Sequence, residues 1–165
     1  CPALNEFLYW YQQLVAESLG KKGKGLLPVV SPAPRDHHSL LQLYLDGPKD
    51  KLFYIFSCKN QGEEKLKKNV FGNKFNNLNK KSINEIANIQ KDSLIEVFKR
   101  KKIPFRELRI SAINEETLSE LFSYFMLETF LIGSKMKINP FDQPAVEEVK
   151  KITLKKLNNR TKNYF

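Results

Sequence analysis

The chain has 165 residues, of which 41% are hydrophobic, and its 28 basic against 18 acidic residues give a formal net charge of +10. This length supports one hydrophobic core over residues 1–165 and excludes two domains of ordinary size. With no secretory signal, no apolar run long enough to span a bilayer and only two cysteines, we expect a cytoplasmic protein with no membrane contact and no disulfide framework.

The basic charge is compatible with nucleic-acid binding, because lysines neutralise phosphates. The lysines occur, however, in short scattered clusters, and no nucleic-acid-binding motif accompanies them. We therefore interpret the charge as a basic solvated surface and expect no nucleic-acid partner. Nucleic-acid binding stays a competing hypothesis, which a steep salt dependence of DNA binding would favour.

The chain opens with a predicted helix. Apolar residues at helical spacing place it between Leu4 and Leu19, and Gly20 offers a C-terminal stop. A loop rich in lysine and glycine follows. Leu26 to Val30 is a candidate strand, which Pro28 weakens because proline has no backbone N–H to donate to a sheet.

The next part of the chain alternates between helix and strand. Asp36 could cap a helix that runs to the Gly47-Pro48 stop. The unbroken apolar run 52–58 is typical of a parallel strand buried on both faces. Residues 59–81 are polar and rich in lysine and asparagine, which predicts a long mobile loop.

A similar alternation follows this loop. Ser82 and Glu85 have the spacing of a capping box, which predicts a helix over 82–101. Residues 105–110 then suggest another strand, and Asn114 caps a strongly apolar helix. Strands that alternate with helices favour an α/β fold with a parallel sheet flanked by helices. The pattern gives about three strands, few for a complete domain, so we expect a truncated chain.

Gln13 and Glu17 form the first candidate site. They stand four residues apart on the first helix, so their side chains share one face, beside Trp10. Periodicity alone favours a solvent-exposed face, whereas the tryptophan favours a more enclosed one. Both interpretations stay open on these residues alone.

The two histidines of the chain, His37 and His38, stand at the start of the next helix. A histidine suits proton transfer near neutral pH, but a surface or capping histidine fits the position equally well. We expect no metal site, because neighbouring histidines on a helix point in different directions and no cysteine pair lies near them.

The last predicted helix carries a lysine on its apolar side. Pro144 suits the first helical position, with Asp142 or Gln143 as the cap. Lys150 falls inside one broad apolar arc. It is either a functional residue or a lysine whose stem covers apolar surface, and both interpretations stay open on these residues alone. The residues of the arc are Ala145, Val146, Val149, Ile152, Leu154 and Leu157.

Three segments resemble motifs of the glucose-6-phosphate isomerase family. Trp10–Lys21 is similar to the segment whose E-S-x-G-K contains the catalytic base. Asp36–Ser39 is similar to the D-x-H-S of shorter bacterial members. Residues 139–150 resemble the C-terminal signature F-D-Q-x-G-V-E-x-x-K, with Ala145 in place of the usual glycine. The order and spacing of the three motifs, not any one alone, carry the resemblance.

The resemblance implies interconversion of glucose 6-phosphate and fructose 6-phosphate through a cis-enediol, with no metal or organic cofactor. Glu17 would be the catalytic base, tuned by partial burial, and His38 and Lys150 would assist ring opening. Gln13 and Gln143 would contact the substrate. The spacing from Glu17 to His38, 38 − 17 = 21, is the one expected of compact bacterial members.

The resemblance also implies a sugar-isomerase (SIS) type domain with a flavodoxin-like sheet, N-terminally truncated. It implies a homodimer with a shared active site, because the neighbouring subunit contributes the histidine in this family. The phosphate pocket would lie upstream of the chain, so we expect little activity from the chain alone. A non-catalytic sugar-phosphate-binding module and a phosphoglucose/phosphomannose isomerase stay open as alternatives.

Overall fold

The computed structural model describes residues 2–58, 73–78 and 81–161. Its helices are α1 (Asn5–Leu19), α2 (Arg35–Ser39), α3 (Leu41–Asp46), α4 (Ile83–Lys101), α5 (Glu115–Met136) and α6 (Pro144–Thr161), and its strands are β1 (Phe53–Cys58) and β2 (Phe105–Ile110). Short 3-10 helices occupy Pro2–Leu4 and Asn73–Leu78. Within these ranges, every helix is too short or too polar to cross a lipid bilayer.

The described residues form two compact units. One comprises the residues up to Asn5 together with Ser31–Thr117, and the other comprises Glu6–Val30 together with the residues from Leu118 onward. The prediction of a single domain over 1–165 stays a prediction.

The first unit contains a two-stranded parallel sheet with helices beside it in the chain, which confirms the α/β class. The strands pair in register from Phe53 opposite Phe105 to Cys58 opposite Ile110. Parallel strands need a crossover connection, and α4 provides it. The ring of Phe98 on α4 lies 4.8 Å from that of Phe53 and 5.9 Å from that of Phe105, measured between centroids. Phe98 therefore packs where both strands begin.

Two helix starts in the first unit follow the predicted caps. The side chain of Ser82 accepts a hydrogen bond from the backbone N–H of Glu85 at 3.0 Å and begins α4. The Oδ1 atom of Asn114 accepts one from the N–H of Thr117 at 2.9 Å and begins α5. Each cap satisfies an amide that has no partner inside its helix.

The candidate strand over 26–30 is wrong. The segment has no regular structure, and the side chains of Leu26, Leu27 and Val29 are exposed. Pro28 removes the amide that a sheet would need, and no apolar surface covers these side chains. The sheet of the described residues consequently has two strands instead of about three.

Two further expectations need correction in the first unit. The helix predicted after Asp36 is divided at Leu40 into α2 and α3, and the residue before α2 is Pro34. Cys58, the last residue of β1, is disulfide-bonded, which the low cysteine count did not predict. Most of the predicted loop 59–81 lies outside the described residues.

The second unit packs α1 against α5. The ring of Phe7 lies 5.3 Å from Phe122 and 5.8 Å from Phe125, and the ring of Tyr11 lies 4.5 Å from Phe125. At the C-terminal end of α1, Val15 and Leu19 form a buried apolar cluster with Ile138. This cluster fixes the end of α1 beside the segment that joins α5 to α6.

Candidate functional site

The carboxylate of Glu17 accepts hydrogen bonds from two glutamine side chains. Gln13 Nε2 donates to Glu17 Oε1 at 3.1 Å, and Gln143 Nε2 donates to Glu17 Oε2 at 2.9 Å. Each oxygen therefore has one amide donor. Three of the five predicted site residues come together here, although they derive from two motifs that lie far apart in the chain.

Local structure explains how the three side chains meet. Gln13 and Glu17 occupy successive turns of α1, where a spacing of four residues places side chains together. Gln143 directly precedes α6, which begins at Pro144 as predicted. The connecting turn is closed by Asn139, whose Oδ1 accepts from the N–H of Phe141 at 3.0 Å.

Solvent reaches this cluster. Gln13, Glu17 and Gln143 are all exposed, so the expected partial burial of Glu17 beside Trp10 is wrong for the described residues. The ring of Trp10 packs instead against the ring of Phe122, with centroids 4.4 Å apart. An exposed carboxylate held by two amides keeps unused lone pairs and can accept a proton from a bound molecule.

Lys150 lies on an exposed helix. Its side chain is 64% exposed, and its Nζ makes an ion pair of 2.7 Å with Glu147 Oε1. All side chains from Pro144 to Asn159 are exposed, including those of the predicted apolar arc. The described residues therefore leave the arc uncovered, because periodicity identifies a shared face and not what covers it. The catalytic role of Lys150 stays a prediction.

His38 lies exposed on α2, and His37 beside it is half-buried. Asp36, by contrast, is buried and accepts a hydrogen bond from Arg35 Nε at 2.8 Å. That bond lowers the pKa of Asp36, an effect that burial opposes and that hydrogen bonds from Ser31 and Ser39 reinforce. The buried carboxylate anchors the segment that presents His38. A role for His38 with Glu17 stays a prediction.

Lys21 and Asp142 are site components that sequence reasoning missed. The side chain of Lys21 is only 8% exposed, and its Nζ lies 3.2 Å from Asp142 Oδ1. The same Nζ donates to the backbone oxygen of Asn139 at 2.6 Å. Lys21 stands four residues after Glu17, and Asp142 directly precedes Gln143. Lys21 and Asp142 are the lysine of E-S-x-G-K and the aspartate of F-D-Q, and their opposite charges are the signal that could have indicated this pair.

The described residues contain no group of three histidine, cysteine, aspartate or glutamate side chains placed to hold a metal ion. The arrangement around Glu17 instead combines one carboxylate with neutral amides. Its chemical capacity is therefore to accept, hold and return a proton.

The chain is similar to curated glucose-6-phosphate isomerases over most of its length. A probable glucose-6-phosphate isomerase from Methanococcus maripaludis is 38% identical over 149 residues, which are 90% of this chain and 33% of the relative. The glucose-6-phosphate isomerase of Methanocaldococcus jannaschii is 33% identical over 91% of this chain and 37% of the relative. That of Mycoplasmopsis synoviae is 35% identical over 91% of this chain and 36% of the relative.

The chain spans about a third of the length of these relatives. No family model matches it. Among solved structures, a hypothetical protein from Thermus thermophilus superimposes with a TM-score of 0.86 at 24% identity, over 95% of this chain and 39% of that one. The fold of this chain is therefore similar to that of an experimentally determined structure. The sequence matches make the chain similar to one part of an isomerase.

Proposed function

We propose that this chain carries the acid–base groups of an aldose–ketose isomerase that interconverts glucose 6-phosphate and fructose 6-phosphate. The observation that supports it is the Glu17 carboxylate, held at one oxygen by Gln13 and at the other by Gln143. The similarity to curated isomerases over nine-tenths of the chain supports the same reaction. The chain would correspond to their C-terminal, sugar-isomerase type part.

Glu17 is the base in this proposal. It removes the proton from C2 of the open-chain aldose, and the electron pair of that C–H bond forms the C1–C2 double bond of a cis-enediolate. The hydroxyl proton on the C2 oxygen passes to the C1 oxygen, the proton held by Glu17 returns to C1, and the oxygen on C2 becomes the ketone carbonyl. One carboxylate suffices, because both carbons present the proton on the same face of the enediolate. The two amides keep the carboxylate in one orientation during both transfers.

Lys150 supplies positive charge to the developing enediolate in this proposal. It stands seven residues after Gln143, and seven residues bring an α-helix back to nearly the same face, about 10 Å further along its axis. Lys150 must leave its ion pair with Glu147 to reach a substrate, and its exposed position permits that movement.

His38 assists ring opening by exchanging a proton with the ring oxygen, because an imidazole can both donate and accept a proton. We place this histidine in a shared site of a homodimer, in keeping with the resemblance of Asp36–Ser39 to the D-x-H-S motif. The proposed protein is cytoplasmic and uses no metal or organic cofactor. Its substrate phosphate is bound by residues outside the three motifs described.

The test is loss of a C2 label. The full-length protein is incubated with glucose 6-phosphate deuterated at C2, and NMR follows the deuterium lost from C2, whether transferred to C1 or released to water, and the fructose 6-phosphate formed. Glu17→Gln should abolish both while sugar-phosphate binding persists. Glu6→Gln is the matched control, because Glu6 is also an exposed glutamate on α1 and should retain full activity.

Two results would overturn this proposal. Isomerisation by Glu17→Gln at the rate of the unmodified protein would remove Glu17 from the role of base. A full-length protein that binds hexose phosphates but never removes the label from C2 would instead be a non-catalytic sugar-phosphate-binding module.

A further inference from the structure

Lys21 is a lysine in an unusual environment. Its side chain is 8% exposed, whereas the neighbouring Lys22 is exposed to solvent. Removing an ammonium group from water is costly unless hydrogen bonds and an opposite charge replace the lost hydration. The partners of Lys21 therefore determine why the chain keeps a lysine at this position.

Both described partners of the Lys21 ammonium lie in the turn between α5 and α6. Nζ donates to the backbone oxygen of Asn139 at 2.6 Å and lies 3.2 Å from Asp142 Oδ1. The first bond satisfies a backbone carbonyl of the turn, and the second neutralises an acidic side chain. Lys21 thus joins the end of α1 to the beginning and the end of this turn.

The same turn delivers Gln143 to the carboxylate of Glu17. Asp142 forms the ion pair with Lys21, and the next residue, Gln143, donates to Glu17. Lys21 stands four residues after Glu17, close to the end of α1. Two polar links therefore connect the same two segments side by side. Since Gln143 and Glu17 are exposed, solvent competes for their hydrogen bond, whereas the Lys21 side chain is only 8% exposed.

Apolar contacts position the turn at its base and at Phe141, whose ring lies 4.9 Å from that of Phe130 on α5. Ile138 packs with Leu19 in the buried cluster, and a Cβ on Gly133 would lie 3.4 Å from Pro140. Beyond Pro140, Phe141, Asp142 and Gln143 are all exposed. Among the described residues, Asp142 and Gln143 themselves are held by polar contacts, and Lys21 provides the one at Asp142.

We propose that Lys21 is a positioning residue, which holds the 139–142 turn so that Gln143 stays bonded to Glu17. The effect of Lys21 on turnover rests on the proposed function. Its effect on the position of Gln143 rests only on the contacts of Lys21. Lys21 does not touch the reacting atoms. Its loss should reduce turnover by allowing Gln143, and with it the Glu17 carboxylate, to change orientation.

The experiment compares Lys21→Met, Lys21→Arg and Asp142→Asn in the full-length protein, with Lys22→Met as the control. Methionine keeps the length of the side chain and removes its donors, whereas arginine keeps donors and charge. Because Lys21 acts through Gln143, we expect Lys21→Met to lower kcat by about fivefold at most, the loss expected when the Gln143 amide is removed, with little change in KM. Lys21→Arg should recover most of that loss, and Asp142→Asn should give a smaller loss.

A second measurement does not require turnover. In protein labelled with ¹⁵N-glutamine, the Gln143 side-chain amide is assigned from Gln143→Ala and its hydrogen exchange is measured. Lys21→Met should accelerate this exchange, and Lys22→Met should leave it unchanged. If the unmodified protein has no isomerase activity, the proposed function is refuted. Hydrogen exchange of the Gln143 amide still tests the positioning role in that case.

Two outcomes would overturn the positioning role. In the first, folded Lys21→Met retains the exchange rate of Gln143. In the second, kcat falls equally in Lys21→Met and Lys22→Met. If Lys21→Met does not fold, hydrogen exchange of the Gln143 amide is measured in Asp142→Asn instead. This variant keeps the bond from Lys21 to Asn139 and removes only the ion pair, so an unchanged exchange rate would overturn the positioning role.

Discussion

Gln143 and Glu17 are 126 residues apart in the chain, yet Gln143 Nε2 lies 2.9 Å from Glu17 Oε2. Gln13 binds the other oxygen from one turn earlier on α1, at 3.1 Å. A carboxylate held in this way cannot rotate without breaking at least one bond to a charged acceptor. The two glutamines therefore control the direction of its lone pairs as well as its position.

The first prediction concerns these amides. Gln13→Ala and Gln143→Ala should each lower kcat for isomerisation about fivefold in the full-length protein, because the carboxylate loses one of its two fixed bonds at an exposed site. The double variant should lose more than the product of the two effects, since either amide alone still restrains the same group.

Gln12→Ala is the control, because Gln12 lies next to Gln13 on α1 and has no contact with Glu17 among the described hydrogen bonds. Steady-state kinetics with both sugar phosphates separate kcat from KM. A rise in KM at constant kcat would instead place the two glutamines on the substrate.

Local sequence patterns predicted several elements of this fold. The strand over 105–110 and the caps at Ser82 and Asn114 depend on residues within a few positions of each other. The same holds for Pro144 at the first position of α6. Such features need no knowledge of what packs against them, and they were predicted correctly.

Long-range contacts lay beyond the sequence. The spacing of Gln13 and Glu17 predicted a shared face, but the approach of Gln143 and the ion pair of Lys21 require the packing of α1 against α5. The strand predicted over 26–30 was wrong for the same reason, because a strand needs a neighbouring strand to accept its hydrogen bonds. The sequence therefore predicted which residue types the candidate site contains, and the packing determined which of them meet.

The second prediction concerns Gly133, a buried glycine inside α5. A Cβ at this position would lie 3.4 Å from Pro140 Cβ and 3.5 Å from Leu19 Cδ2, which are ordinary contact distances. Gly133→Ala should therefore raise the free energy of unfolding by about 0.5–1 kcal/mol through helix propensity. Gly133→Val adds two methyl groups to the same space and should lower it by about 1–3 kcal/mol. Urea denaturation measures both, and destabilisation by alanine would contradict the distances.

The third prediction concerns the apolar arc of α6. Leu154 is exposed, so Leu154→Gln should change the free energy of unfolding of this chain by no more than about 0.5 kcal/mol. Glutamine has nearly the helix propensity of leucine, so a difference in helix propensity contributes almost nothing to this change. Leu19→Ala, in the buried cluster, is the contrasting variant and should cost about 2–5 kcal/mol. A large loss in Leu154→Gln would mean that α6 is covered.

The last prediction is a pH dependence. The hydrogen bond from Arg35 holds the pKa of Asp36 below its ordinary value of 3.8 in the folded chain, against the opposing effect of burial. As the pH falls through 3.8, the unfolded chain therefore binds a proton at Asp36 before the folded chain does. The stabilisation is fully present above that value and is lost as the pH falls through the folded-state pKa.

Asp36→Asn should consequently lower the free energy of unfolding at neutral pH and flatten its decline below about pH 4. Urea denaturation between about pH 3 and pH 7 measures the slope, and the difference between the unmodified chain and the variant should shrink towards the acid end. Asp46→Asn is the control, because Asp46 is an exposed aspartate at the end of α3 and its replacement should leave that slope nearly unchanged. An acid slope that stays equally steep in Asp36→Asn would show that the buried carboxylate beside His38 stores no pH-dependent stability.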